Sequence, residues 1–358
     1  MGRGVLRDIV HVIDPLHVFM PYGREGPSAR VRVYAWLRRL HLEAKVHPYL
    51  GMATAGADSL LRRPMATLRA EAGLWRAGRR RGVRVLVHRE VSPLSNGEVE
   101  VRIMEGARFS VYDLDDALQW DWADEGGFRR LIPKAKKTIT CVRQADRVIA
   151  ANDVLAEWAS AWARDVVIIP SCVDPAAYPA KETYELSDPP RLGWIGTPAT
   201  EQYLRRIEGP LLEVHRRTGA RLELVSRDRG SLNSLEAITD RVDWSEEAGP
   251  AALARWDVGL MPLAPGLLER GKSGYKLLQY GAVGLPAVGS PVGVNTEILG
   301  QMEAPAPRSN SEWVDALVDL LESPAQRRRE LGLRGRRLVT ERYSYDAWAP
   351  RWSEAVAG

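Results

Sequence analysis

The chain has 358 residues, 45% of them hydrophobic and 27% charged, a balance that supports a sizeable core and excludes disordered, collagen-like and disulfide-framework classes. At about 150 residues per domain, the length suggests two domains. The net charge of +4 is uneven: residues 1–180 carry 27 Lys and Arg against 21 Asp and Glu, so the basic surface belongs to the front half.

In chain order, Val5–Asp14 is an apolar run ending in Asp-Pro and reads as a first strand. The Gly/Pro-bearing loop Pro21–Ser28 and an amphipathic helix over Arg30–Leu40 follow. Arg3, Arg7 and Asp8 interrupt the N-terminal stretch, which therefore lacks the apolar core of a secretory signal. A long basic helical stretch holds Arg76, Arg79, Arg80, Arg81 and Arg84. A second basic cluster runs through Arg129, Arg130, Lys134, Lys136 and Lys137. Such runs are solvated helix faces or attract anionic lipid, nucleic acid or a phosphorylated acceptor. Val83–His88 and Arg108–Tyr112 read as strands, the second opening onto an acidic loop, Asp113–Ala117. Val148–Ala150 and Val166–Ile169 are strands around a helix near Val154–Ala163. Cys141 and Cys172 are too few for a disulfide scaffold and lack metal-ligand spacing, which suits buried thiols in a reducing cytoplasm.

Ser187–Pro190 is polar and Pro-rich and reads as a linker. Beyond it come a strand at Arg191–Ile195, a helix around Thr200–Thr218, a strand at Arg221–Val225, a helix around Pro250–Trp256 and a strand at Asp257–Met261. A helix at Gly274–Val283, a strand at Pro286–Gly289 and helices at Ser311–Ser323 and Ala325–Glu341 complete the pattern. Alternation of strand and helix in both halves implies doubly wound parallel sheets. The expected division is 1–185, 186–342 and a terminal helix at 343–358, on which Trp348 and Trp352 share one face. Tyr280–Thr296, the least charged stretch, is broken by Gly and Pro, so no transmembrane segment is expected and the chain reads as cytoplasmic.

The sharpest motif is the run Trp256–Leu263, then Glu269-Arg270-Gly271-Lys272-Ser273-Gly274-Tyr275-Lys276-Leu277-Leu278-Gln279-Tyr280, then Gly284-Leu285-Pro286. A strand ends, a Gly-containing loop carries a lysine, and a helix opens whose positive end favours an anion. Lys272 and Lys276, one turn apart, are either that anion's cations or solvated.

This run, with Arg191–Pro198 before it, resembles the C-terminal domain of glycosyltransferase family 4. In the front half Gly26-Pro27-Ser28-Ala29-Arg30, Arg89-Glu90-Val91-Ser92-Pro93 and Tyr112-Asp113-Leu114-Asp115-Asp116-Ala117 resemble a subset of the same family. The resemblance implies a GT-B fold, two Rossmann-like domains facing across a cleft, with the nucleotide diphosphate on the C-terminal domain and the acceptor on the N-terminal one. It implies a retaining, metal-independent transfer of a sugar (hexosyltransferase chemistry) from a nucleotide sugar, UDP- or GDP-linked, to an acceptor hydroxyl, with no further cofactor. Other readings are a transferase that modifies nucleic-acid bases through the basic front half, and a non-catalytic nucleotide-sugar binder.

Carried over by resemblance, Lys272 matches a donor-phosphate cation and Gly196-Thr197 the turn that approaches the diphosphate. Arg227 and Val242–Trp244 match the nucleobase region, and Ser273, Gly274 and Lys276 open the donor-binding helix. The family's two glutamates, seven residues between them, fall on Gly271 and Gln279, so both are absent. Gln279 can still bond a ribose hydroxyl, and Glu269 is a substitute for the first glutamate. Three close carboxylates, Asp113, Asp115 and Asp116, should repel and raise at least one pKa. They accept the acceptor's proton, bind sugar hydroxyls, or serve as caps and turns. An Asp-x-Asp metal site is the other option, against which the second α/β domain argues. Ser28, Arg30, Arg89 and Glu90 belong to the acceptor or phosphate side, with Arg32 beside them on the first helix. Trp120 and Trp122 are either a sugar platform or core. The basic front half favours an anionic acceptor, nucleic acid or a lipid-linked glycan.

Overall fold

In a computed structural model, residues 15–52, 60–120, 134–227 and 230–358 are described. The expected strand at Val5–Asp14 lies outside them, as do Trp122, Arg129 and Arg130. The chain forms two compact units, one of Met1–Ser171, Gly271–Ser273 and Trp348–Gly358, the other of Cys172–Arg270 and Gly274–Ala347. The polar stretch Ser187–Pro190 thus falls inside the second unit. Residues ahead of it are tied there by Val173 N–H to the Tyr343 carbonyl (2.9 Å) and by the Arg328 guanidinium to the Tyr184 carbonyl.

The first unit holds β1 (Leu16–Met20), β2 (Ala44–Pro48), β3 (Arg84–His88), β4 (Phe109–Leu114), β5 (Arg147–Ala150) and β6 (Val166–Ile168), all parallel, in the order β2-β1-β3-β4-β5-β6. β1 is buried at every position and reads as continuously apolar but for His17, as a strand covered on both faces should. The segments Pro27–Ala29, Arg30–Tyr34 and Ala35–Arg39 form one helix after β1, its middle turn π-helical. β4 runs further than expected. Asp113 is a strand residue in register with His88 and Ile149, because its carboxylate is neutralised from either side.

The second unit holds β7 (Arg191–Ile195), β8 (Arg221–Ser226), β9 (Thr239–Asp243), β10 (Val258–Met261) and β11 (Ala287–Gly289), parallel, in the order β11-β10-β7-β8-β9. Its helices cover both faces. Leu192, Trp194, Leu222, Leu224, Val258 and Leu260 pack one way against Leu211, Val214, Leu317 and Leu320. Ile195, Val225 and Met261 pack the other way with Leu277, Leu278, Ile298 and Leu299. Gly193 lies against the Trp256 ring so closely that a Cβ would overlap it at 1.8 Å. Cys141 and Cys172 are buried free thiols. Among the described residues no helix is long and apolar enough to cross a membrane.

Candidate functional site

In a doubly wound sheet, ligands bind outside the carboxyl ends of the strands where the winding direction reverses. In the second unit that point lies between β7 and β10, and the loops leaving these strands carry the residues singled out above. Gly196 and Thr197 follow β7, and a Cβ at Gly196 would stand 2.2 Å from the Trp194 ring. Thr197 opens a turn in which the Thr200 hydroxyl accepts from Thr197 N–H at 3.2 Å. Arg227 follows β8 and lies over the ring of Trp244, which follows β9, at 4.4 Å.

Beyond β10 the helix Tyr275–Val283 begins at Gly274, whose φ of 63° is the left-handed region where glycine carries no Cβ penalty. The positive end of its dipole opens there. Lys276 reaches back so that its ammonium sits 5.1 Å from the Trp194 ring centroid, a cation–π contact that holds it near Gly196. Glu269 accepts from the Tyr203 hydroxyl at 2.7 Å, and Gln279 donates to the Tyr178 hydroxyl at 3.1 Å, so each is tethered by a tyrosine.

Gly271–Ser273 belongs to the first unit. There the Asn152 amide donates to the Gly271 carbonyl (3.0 Å), while its oxygen caps the helix Asp153–Ser160 by accepting from Leu155 N–H. Gly271 abuts Ala117: a Cβ would come within 2.5 Å of the alanine Cβ. Lys272 lies 4.0 Å from an Asp116 oxygen.

The three aspartates are not equivalent. Asp113 is buried, bonded by both Arg32 and the His88 Nδ1 (2.7 Å), while Arg32 also donates to the Ile169 carbonyl at 2.8 Å. Asp115 is buried and gripped at both oxygens by Arg89, at 2.6 and 3.0 Å. Asp116 is half-exposed, 3.5 Å from Arg89. The expected repulsion is overturned for the first two. Burial alone would raise their pKa values, but the charges of Arg32 on Asp113 and of Arg89 on Asp115, with the accompanying hydrogen bonds, hold both carboxyls below the usual range.

Arg89 achieves this from a left-handed backbone (φ 64°), a conformation costing a residue with a Cβ about 1–2 kcal/mol. Its carbonyl accepts from the Tyr112 hydroxyl, which fixes the turn. Glu90 faces inward and pairs with Lys137 at 2.7 Å, so Lys137 is buried and not part of a solvated basic face. Ser28 and Arg30 lie half-buried at the start of the first helix, and it is the buried Arg32, two residues further on, that reaches the aspartate. Trp120 packs against the core.

Sequence reasoning missed His88 and Asn152, and it placed Lys137 on a basic face where the structure buries it against Glu90. The Asn before a helical run was a readable capping signal, whereas a histidine ending an apolar strand carried none. His88 Nε2 is buried without a partner among the described residues. No group of three or more His, Cys, Asp or Glu among the described residues is placed to hold a metal.

No protein-family model and no curated protein matches the sequence. Solved structures do match. The pneumococcal O-GlcNAc transferase GtfA, in complex with UDP and GlcNAc, superposes with a TM-score of 0.57 at 16% identity over 82% of this chain, which spans 60% of GtfA. Anabaena HepE, in complex with UDP and glucose, gives a TM-score of 0.68 at 14% identity, covering 96% of this chain and 100% of HepE. WaaG, a glycosyltransferase involved in lipopolysaccharide biosynthesis, gives 0.66 at 13%, with the same two coverages. The fold is GT-B. Within this GT-B chain, Gly196, Thr197, Arg227 and Trp244 follow the carboxyl ends of strands in the second unit and Asp115 and Asp116 that of β4 in the first, the positions where α/β proteins hold their ligands.

Proposed function

We propose that this chain is a retaining, metal-independent glycosyltransferase that moves a hexose from a UDP- or GDP-linked donor to an acceptor hydroxyl. The observation that supports it is the convergence of Gly196, Thr197, Arg227, Trp244 and Lys276 on the carboxyl edge of one sheet, beside the positive end of the helix Tyr275–Val283. The diphosphate's charge is met by that helix end together with Lys276, in a setting where fixed dipoles and cations replace a metal. Lys272 is carried over from the resemblance as a further donor-phosphate cation. Trp244 and Arg227 flank the base, and Gln279 offers its amide oxygen to a ribose hydroxyl.

On the acceptor side, Ser28, Arg30 and Arg89 are assigned to the first unit's edge, and Glu90, turned inward onto Lys137, supports it from behind. Asp116 takes the proton from the acceptor hydroxyl as its oxygen bonds to the anomeric carbon and the carbon–diphosphate bond breaks. Asp113 and Asp115 are positioning residues, since both carboxylates are committed to arginines. That commitment also disfavours an Asp-x-Asp metal site. HepE and GtfA, each solved with UDP, make a UDP sugar the first donor to test.

Nucleoside diphosphate release from UDP- and GDP-sugars, followed with and without a chelator, tests this reading. Release should persist on chelation and fall tenfold or more in Lys272→Ala, a loss of roughly 1.5–3 kcal/mol of charge-assisted contact, with melting temperature unchanged. Activity abolished by chelation and restored by manganese would overturn the metal-independent mechanism. Donor binding without turnover against any acceptor would leave a binder instead of an enzyme.

A further inference from the structure

The helix Pro64–Ala77 has two unlike faces. Thr67, Ala70, Leu74 and Ala77 turn inward onto the first unit. Met65, Leu68, Ala72 and Trp75 recur at spacings of three and four and form one stripe on the outside. Met65 is 62% exposed, Leu68 63% and Trp75 46%, and Leu61, just ahead of the helix, is 79% exposed. Four of the eight large apolar side chains exposed among the described residues thus fall within fifteen positions, whereas scattered single ones are the norm for a surface.

The charge beside the stripe has one sign. Arg62, Arg63, Arg69, Arg76, Arg79, Arg80 and Arg81 are all exposed. Arg69 and Arg76 each follow a stripe residue by one position and so flank it on the same side. The Arg102 guanidinium lies 4.9 Å from the Trp75 ring centroid. Glu71, the one acid from 61 to 82, is engaged elsewhere, accepting from the Tyr49 and Ser92 hydroxyls at 2.7 and 2.5 Å.

We propose that this helix docks the chain on an anionic lipid surface, its stripe entering the headgroup boundary while the arginines meet lipid phosphates. Charge decides the occupant. A second copy apposing the same stripe would bring two sets of seven arginines together, with Glu71 the one acid between 61 and 82 to answer them, and nucleic acid offers phosphates but no apolar phase for Leu68 and Trp75. A tryptophan at the stripe's end suits the boundary between headgroups and acyl chains, where one side of the indole is wet. The inference is independent of what the chain catalyses.

Co-sedimentation of the full chain with vesicles tests it. Mixed phosphatidylcholine–phosphatidylglycerol vesicles should bind the chain at low salt, and pure phosphatidylcholine about tenfold less or worse. The double variant Leu68→Ser, Trp75→Ser should lose binding to a similar degree, as should Arg69→Glu with Arg76→Glu. These side chains are exposed, so melting temperatures should stay close to that of the parent; should the serine pair fail to fold, the arginine pair and the salt dependence carry the test. Absence of binding to phosphatidylglycerol vesicles at low salt overturns the proposal. So does binding indifferent to the serine substitutions, which would mean a purely electrostatic contact such as nucleic acid makes. A dimer abolished by those substitutions, without vesicle binding, would assign the stripe to a second copy and overturn it likewise.

Discussion

Gly271 occupies the position where the resembling family places a glutamate, and the structure supplies a reason for the exchange. Even a methyl group there would meet the Ala117 Cβ at 2.5 Å and Leu155 Cδ2 at 3.2 Å, while the Gly271 carbonyl is held by Asn152. Ala117 is a stub that cannot swing aside, so the backbone itself has to move. Gly271→Ala should therefore destabilise by about 1–3 kcal/mol, as overpacking does, and displace Lys272 from its place beside Asp116. Gly271→Glu, which restores the family's residue, should be worse than Gly271→Ala. Thermal unfolding and nucleoside diphosphate affinity of the pair provide the check; a glutamate variant that folds as well as the parent and binds donor more tightly would show that space is not what excludes the side chain. The neighbouring aspartates follow the same rule. Their chemistry is set by which arginine each one meets, and no spacing of acids along the chain reveals that Asp113 and Asp115 are taken while Asp116 is half-exposed.

Elements differ in how openly the sequence declares them. Val83–His88, Val148–Ala150, Arg191–Ile195, Arg221–Val225 and the helices at Gly274–Val283 and Ala325–Glu341 are written in apolar period and punctuation, and strands and helices stand there within a residue or two. β1, β2 and β9 are not. β1 follows the Asp-Pro that reads as a terminator, β2 is a half-buried edge strand of mixed polarity ending in proline, and β9, Thr-Asp-Arg-Val-Asp at the other sheet's edge, is mostly charged. Their identity comes from pairing partners far along the chain, which local pattern does not contain.

β1 and β2 carry a titratable device of their own. His17 and His47 stack at 5.2 Å with Nδ1 of one 3.0 Å from Nε2 of the other, and Arg80 donates to the same His17 nitrogen at 2.8 Å. Arg80 can only donate, so its contact requires that nitrogen unprotonated and leaves His47 Nε2 as the donor between the rings. Burial, then the Arg80 and Lys45 charges, lower the His17 pKa. Burial, with the charges of His17, Arg80 and Lys45, lowers that of His47 to about 4. Because the unfolded histidines bind protons at higher pH than the folded ones, stability is full above the unfolded pKa and falls as pH drops from neutral towards 4. The acidic site responds lower, since carboxyls with lowered pKa values keep their contribution until the pH falls through the folded values. Denaturant unfolding between pH 7 and pH 4 should give a shallower slope for His17→Asn with His47→Gln than for the parent, whatever the offset in stability; identical slopes would remove these histidines from the acid response.

At the scale of the whole molecule, the last helix, Tyr345–Ala357, begins in the second unit and finishes as part of the first. Trp352 is 1% exposed and stacks on Trp36, 0% exposed, at 5.4 Å between centroids and 15° between planes. The helix's final carbonyls, which have no partner within the helix itself, accept from arginines of two strands. Arg84 of β3 donates to the Val356 carbonyl at 3.3 Å, and Arg147 of β5 to those of Glu354 and Ala355 at 3.1 and 3.3 Å. The first unit's core is therefore completed by the chain's last eleven residues, after the whole second unit has been threaded. Removing Ser344–Gly358 uncovers Trp36 and takes from both arginines the helix-end carbonyls they bond. Trp352→Ala alone, a large-to-small change in a closed site, should cost about 3–5 kcal/mol. The loss should be confined to the first unit, because the second keeps its own two core layers intact. Hydrogen exchange of the truncated chain and of Trp352→Ala should show protection falling across β1 to β6 while β7 to β11 hold theirs. Equal loss of protection in both sheets, or none in the first, would mean that the terminal helix does not close the first core.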